Sequence, residues 1–426
     1  MKKVLWVTSF FPPRINVATN RNVKFLKYLA KYDWEALVVC PRETLGHTNT
    51  SRKLMSQMGA GVKVLPMPMD PFFFLHDQAG VSRMARYVGY LANNVVPPDG
   101  HLFWSLRVLG RSGKDIRQHK PNLVYTTCSP FSINVIGAWI KFRYHVPWVT
   151  DFRDLWTLNP DHRRFLSSYH RIVSNILEKS YLNYCDALVV NTDASKSRMI
   201  EKYPFLKNKT FIVPNGFDPE DIPSENPAPI EGAFFYGGLI DSASNYTPLP
   251  ILKLLAKLQE EGLLSDMWTL HYAGNEGREF SDLCWQARIQ GKEKTHGYLD
   301  HKSFYRLIQS MSYVIMCMPG DVDASSWIPA RFYDYMGNRR RIICLATRES
   351  EIARVITQYG RGVTLFYDEP ETIQIQKLQA FLVTRENNST ASNEFIEHFS
   401  RDNLTMGLSQ IFNQVSMAKR TRVRNG

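Results

Sequence analysis

GDVDASSWIPARFYDYMGNRRRIICLA, residues Gly320 to Ala346, reads as a polar loop, a short helix, a tight turn and a buried strand. Pro329 suits the first turn of a helix, where its missing N–H costs nothing, and Gly337 suits the left-handed residue that ends one. Arg331 and Asp334 lie three apart and so share a helix face. Ile342, Ile343, Cys344 and Leu345 form an apolar run of strand length. A helix start behind a polar loop is a natural anion site, and an acid one turn further in suits sugar hydroxyls. The alternative is an ordinary helix of an α/β domain carrying a surface salt bridge.

Outward from this stretch the same alternation repeats. Val4–Val7 is a first strand, followed by a loop over Thr8–Asn20, an amphipathic helix near Arg21–Lys31 and a strand at Glu35–Cys40. The loop follows the carboxyl end of the first strand, where ligands bind in open α/β sheets, but Asn16-Val17-Ala18 offers it no glycine. Pro71 to Leu75 is an aromatic cluster near Arg83, Arg86 and Arg107, readable as a lipid-facing element or as an insertion packed on its own domain. Leu102–His119 reads as one helix, Pro121–Thr127 as a strand entering Cys128-Ser129-Pro130, and His145–Thr150 as a strand entering Asp151-Phe152-Arg153-Asp154-Leu155-Trp156. Two acids flanking an arginine at a strand end are costly to bury unless paired or in use. A functional site is the preferred reading there over a structural network. Arg163–Tyr184 reads as a long helix, and the proline-rich, acidic stretch Asp218–Gly232 as a linker.

Beyond the linker a second series runs from Ala233–Tyr236, ending in Gly237-Gly238, through Trp268–Ala273, ending at Gly274, to the opening stretch and a strand at Val363–Phe366. Two tandem doubly wound units follow from this alternation. The expected domains are 1–205, 206–385 and, at 386–426, closing helices with a basic tail.

The chain has 426 residues, 44% hydrophobic and 22% charged, ordinary for a globular protein with material for more than one core. Its six cysteines are scattered without a C-x-x-C pair, which favours buried thiols over disulfides or zinc. No secretory leader and no membrane-length apolar run is read, so the expected compartment is the cytoplasm. The net charge of +12 attracts anionic partners. Without the signatures of a nucleic-acid-binding module, peripheral contact with an anionic membrane on its cytoplasmic face is the more economical reading.

Taken in order, FPP at 11–13, YTTCSPFS, PWVTDFRDLW, VPNGFD at 213–218, FYGG at 235–238 and IPARFYDYMGNRRRIICL resemble the GT-B glycosyltransferases of family 4, and within it the bacterial surface-polysaccharide branch with a D-x-R-D-x-W signature. The resemblance implies two Rossmann-like domains facing across a cleft. The second would hold a nucleotide-diphosphate sugar and the first a saccharide or lipid-linked acceptor. By the same resemblance Asp334 meets the ribose, Arg331 the diphosphate, Gly237, Gly238 and Gly274 admit the phosphates, and His296-Gly297-Tyr298 lies beside the base. Arg153 and Asp154 border the reaction centre, with Ser129, Asp151 and Arg153 on the acceptor side. The implied reaction is metal-independent glycosyl transfer with retention, the nucleotide sugar being co-substrate and no cofactor being needed. Asp321-Val322-Asp323 is then a sugar-contacting loop rather than a metal motif.

The chain departs from the pattern in three places. The family's usual pair of glutamates becomes Ser326 and Asp334, the basic residues that commonly follow the second-domain glycines are absent from Leu239–Ser244, and Arg153 stands where a histidine is common. Arg331 and Arg278 are candidates to compensate. These departures leave open a degenerate, non-catalytic nucleotide-sugar or partner-binding protein. A UDP-sugar epimerase is a second rival, disfavoured by the D-x-R-D-x-W segment.

Overall fold

The computed structural model describes residues 1–42, 48–68, 84, 96–159, 167–225, 227–241, 247–320, 326–384 and 389–424, without the side chains of 389–392 and 419–424. The aromatic cluster at 71–75, Arg163, the Asp321-Val322-Asp323 loop, residues 242–244 and the side chains of the basic tail lie outside that description.

Two units emerge, Met1–Pro214 with Arg401–Gly426, and Asn215–Ser400. In the first, the chain runs β1 (Lys2–Thr8), α1 (Val17–Tyr28), β2 (Trp34–Arg42), α2 (Asn49–Met55), β3 (Val62–Pro68), α3 (Leu102–Arg111), α4 (Gly113–His119), β4 (Leu123–Cys128), α5 (Asn134–Tyr144), β5 (Trp148–Phe152), α6 (Ser168–Tyr184), β6 (Ala187–Val190), α7 (Asp193–Lys202) and β7 (Thr210–Ile212). The second runs β8 (Ile230–Gly237), α8 (Leu249–Glu260), β9 (Thr269–Ala273), α9 (Gly277–Gln286), β10 (Glu293–Thr295), α10 (His301–Gln309), β11 (Met311–Cys317), α11 (Ala330–Gly337), β12 (Arg341–Ala346), α12 (Glu351–Tyr359), β13 (Gly362–Phe366), α13 (Glu371–Val383) and α14 (Ser389–Phe399). Then α15 (Arg401–Arg424) rejoins the first.

Both sheets are parallel, ordered β3-β2-β1-β4-β5-β6-β7 and β10-β9-β8-β11-β12-β13. Strands covered on both faces read as unbroken apolar runs, which is why the strands of the sequence stood out so clearly. Successive side chains alternate between faces: Leu5, Val7, Val124, Trp148 and Phe152 join the core under α3, α5 and α6. Val4, Trp6, Tyr125 and Val149 face the other way, where Leu404, Leu408 and Phe412 of α15 close the layer.

Several expectations shift. The strand β7 pairs with β6, so the first unit extends through Pro214 rather than stopping at 205. The expected 386–426 segment divides, α14 packing in the second unit and α15 in the first. The single helix expected over Leu102–His119 breaks at buried Ser112, whose hydroxyl donates to the Val108 carbonyl at 2.5 Å. Gly337 is helical, and the left-handed residue is Arg339, at φ 57°. Close packing explains the glycine instead, since a Cβ there would meet the Phe217 ring at 2.5 Å.

Candidate functional site

In the second sheet β8 has β9 on one side and β11 on the other, so the strand order reverses between β8 and β11. Ligands of open α/β sheets bind outside the carboxyl ends at such a switch point. Gly237-Gly238 ends β8 there. Gly238 adopts φ +109°, a conformation disfavoured by other residues, and a Cβ on it would lie 1.7 Å from Arg331 Nη1. The guanidinium therefore rests directly against the glycine backbone. It is 5.8 Å from the Tyr236 ring. Its helix, α11, starts at Ala330 after Pro329, which places the cation in the first turn. Gly238→Ala should displace Arg331 and add backbone strain of about 1–3 kcal/mol, read as a lowered urea midpoint.

Next door, the Gly238 amide donates to the Ala273 carbonyl at 3.0 Å and Gly274 to the Gly297 carbonyl at 3.1 Å, joining the ends of β8, β9 and β10. The Tyr272 hydroxyl stands 3.0 Å from the Gly238 carbonyl and 2.8 Å from Glu276 Oε2, so it braces the glycine loop from below. Asp334 receives the Tyr305 hydroxyl on Oδ1 at 2.5 Å. Burial, then the Asp334 charge, holds that phenol well above its ordinary pKa. The imidazole of His301 packs 4.5 Å from the Tyr305 ring and 3.9 Å from Asp221 Oδ2. Tyr298 is exposed, and Ser326 is buried ahead of α11.

His296, beside Gly297, pairs with His271: Nε2 and Nδ1 are 3.0 Å apart. One proton serves the contact. Burial, then the neighbouring His296 and Lys294, lowers the His271 pKa to about 4. An unfolded histidine near 6.5 binds protons that the native one refuses. The native pair thus loses stability as pH falls from about 6.5 towards 4. Urea midpoints measured from pH 7 to 4.5 should decline more steeply for the wild type than for His271→Gln.

In the first unit the order reverses between β1 and β4. Arg153, leaving β5, donates from Nε to the Cys128 carbonyl at 3.0 Å and from Nη2 to the Ser129 carbonyl at 3.3 Å. Its guanidinium lies 5.5 Å from the Phe10 ring, and Asn191 Nδ2 donates to its carbonyl at 2.6 Å. Arg153 thereby gathers the loops after β1, β4 and β6. Asp154 is exposed beside it.

Asp151 corrects an expectation. Strand alternation turns it away from Phe152's side into the core beneath α1, where it is 0% exposed. There it pairs with buried Arg21 at 3.3 Å and accepts from Tyr125 at 2.5 Å. It organises the unit and is closed to an acceptor. Trp156 is likewise core, stacked on Phe131 at 4.7 Å. Two more residues escaped the sequence reading because their partners are remote in the chain. Asp99 accepts from the Phe131 and Ser132 amides at 2.6 and 3.1 Å, and Glu178 holds Thr157 and Lys202.

Residues 23–221 match the model of Glycosyltransferase Family 4. An uncharacterized glycosyltransferase of Methanocaldococcus jannaschii is 26% identical over 134 residues, 30% of this chain and 33% of that protein. The chain therefore spans about a third of the length of this curated relative. Among solved structures, a sucrose-phosphate synthase from Thermosynechococcus elongatus is similar at TM-score 0.64 and 10% identity, over 98% of this chain and 100% of that one. The lipopolysaccharide outer core galactosyltransferase WaaB is similar at 0.60 and 11%, over 98% and 99%. With two parallel Rossmann-like sheets, these likenesses make the fold GT-B.

Proposed function

We infer that the chain transfers a sugar from a nucleotide-diphosphate sugar to a saccharide or lipid-linked acceptor in cell-surface polysaccharide biosynthesis. The observation that carries this reading is Arg331 seated on Gly238 at the switch point of the second sheet. A fixed cation and a helix start there suit a diphosphate, and they act most strongly when the leaving group gains charge. Asp334, one turn along α11 with one oxygen tied to Tyr305, suits ribose hydroxyls. Tyr298 and His296 flank the place for a base. Arg153, Asp154 and Ser129 provide the acceptor-side edge. The family match over residues 23–221 and the relative's name support glycosyl transfer, and WaaB's description supports a surface-polysaccharide acceptor. Retention, independence of metal and UDP as the carrier are parts of the same reading.

Ser326 favours a second reading. A serine stands where the resemblance expects a carboxylate at the donor sugar, and a non-catalytic nucleotide-sugar-binding protein would tolerate that loss. Mass spectrometry of nucleotides that co-purify with the chain, followed by turnover assays on the donor identified, separates the two. Bound UDP- or GDP-sugar with transfer or donor hydrolysis supports the enzyme. Binding without turnover across acceptors supports the second reading, epimerised donor without acceptor identifies an epimerase, and recovered NAD sinks all of these.

A further inference from the structure

Helix α6 turns polar side chains inward beside its apolar ones. Three of the four side chains it buries, His170, Ser174 and Glu178, are polar, with Leu182 the fourth. They face inward because they are in use. Ser174 Oγ and His170 Nδ1 lie 3.1 Å apart, and Glu178 accepts from the Thr157 amide at 3.1 Å, Lys202 at 2.9 Å and Tyr203 at 2.9 Å. On the opposite face Tyr169, Ile172 and Ile176 are 61%, 62% and 59% exposed. Their i, i+3, i+7 spacing makes one continuous row. Isolated apolar residues on a surface need no explanation, but a row of them marks an interaction site.

The row does not stand alone. Helix α5 packs against both α3 and α6 on the same face of the sheet. It exposes Phe142, while α3 exposes Phe103 and Leu106. On the three helices themselves the exposed charges have one sign. Arg111, Arg143, Arg171 and Lys179 are exposed, α3 and α5 contain no acidic residue, and the one acid of α6, Glu178, is buried.

We propose that this helical layer docks on an anionic lipid bilayer. Tyr169, Ile172 and Ile176 enter the boundary between headgroups and acyl chains, and the arginines and lysine meet lipid phosphates. Apolar groups set among cations are the composition of interfacial helices, and each cation near an anionic leaflet adds to binding. Charge complementarity decides against a second copy of the chain, which would bring cation against cation. The proposal is independent of the transferase reading.

The test is co-sedimentation of the full chain with vesicles of phosphatidylcholine alone and of phosphatidylcholine mixed with phosphatidylglycerol. The wild type should bind the anionic vesicles, lose binding as salt rises, and leave the neutral ones in the supernatant. Ile172→Glu/Ile176→Glu should lower the partition coefficient at least ~10-fold, since each buried isoleucine contributes about that factor. Arg171→Glu/Lys179→Glu should lower it as well. Both pairs are exposed, so their urea unfolding curves should match the wild type. Equal binding to neutral and anionic vesicles, variants that bind like the wild type, or a wild-type dimer that Ile172→Glu/Ile176→Glu converts to monomer would each overturn the proposal. The wild-type vesicle comparison decides even if a variant misfolds.

Discussion

Arg21→Ala is expected to destabilise the first unit by about 3–5 kcal/mol, seen as a lowered urea midpoint. Arg21 and Asp151 are 1% and 0% exposed. Removing the guanidinium leaves a fully buried carboxylate without its ion-pair partner, still accepting from Tyr125 at 2.5 Å. The substitution also strips donors from the Pro214 and Val213 carbonyls, which Arg21 holds at 2.6 and 2.9 Å. Most of the loss is thus the penalty for an orphaned charge. The double variant Arg21→Met/Asp151→Leu separates the terms, because replacing both charges with apolar groups of similar volume removes that penalty. It should recover a large part of the stability. A double variant as unstable as the single one would show that the carbonyl bonds, rather than the ion pair, dominate.

Arg331→Ala should reduce kcat/KM for donor turnover by about 10²–10³ while leaving the unfolding curve nearly unchanged. The basis is position. Its Nη1 occupies the space that a side chain at residue 238 would need, so the charge is held at the switch point before any ligand arrives, and in the proposed reaction it would need no reorganisation as a leaving diphosphate gained charge. Arg331→Lys keeps the charge but loses the planar fork, and should fall between the wild type and alanine. Asp334→Asn should act mainly on KM, since an amide still accepts a hydroxyl at lower strength. If Arg331→Ala turns over donor at the wild-type rate, the switch point of the second sheet is not the donor site.

The fold was legible because parallel strands covered on both faces write themselves as short apolar runs. Val4–Val7, Leu123–Cys128 and Ile342–Leu345 could hardly be anything else. Gly237-Gly238 and Arg331 were legible for a local reason: glycine at a strand end and a cation behind a proline-started helix are signals within a few residues. What the sequence concealed depends on remote partners or on strand parity. Nothing in PWVTDFRDLW says which of Asp151 and Asp154 faces the core. That follows from Trp148 and Phe152 taking the other face, and from Arg21 arriving on α1. Tyr305 becomes meaningful only once α10 sets it against Asp334.

The return of α15 to the first unit has a consequence for the order in which the protein is made. Phe412 fills the space among Trp34, Tyr125 and Trp6, with ring centroids at 5.3, 5.3 and 6.5 Å. On the ribosome the sheet that needs this ring is synthesised first, and the helix that carries it emerges only after the whole of Asn215–Ser400. At ~5–20 residues per second the wait is on the order of 10–40 s. Throughout that interval the nascent first sheet shows an uncovered aromatic face. The second unit, continuous in sequence, is free to finish folding ahead of the one that precedes it.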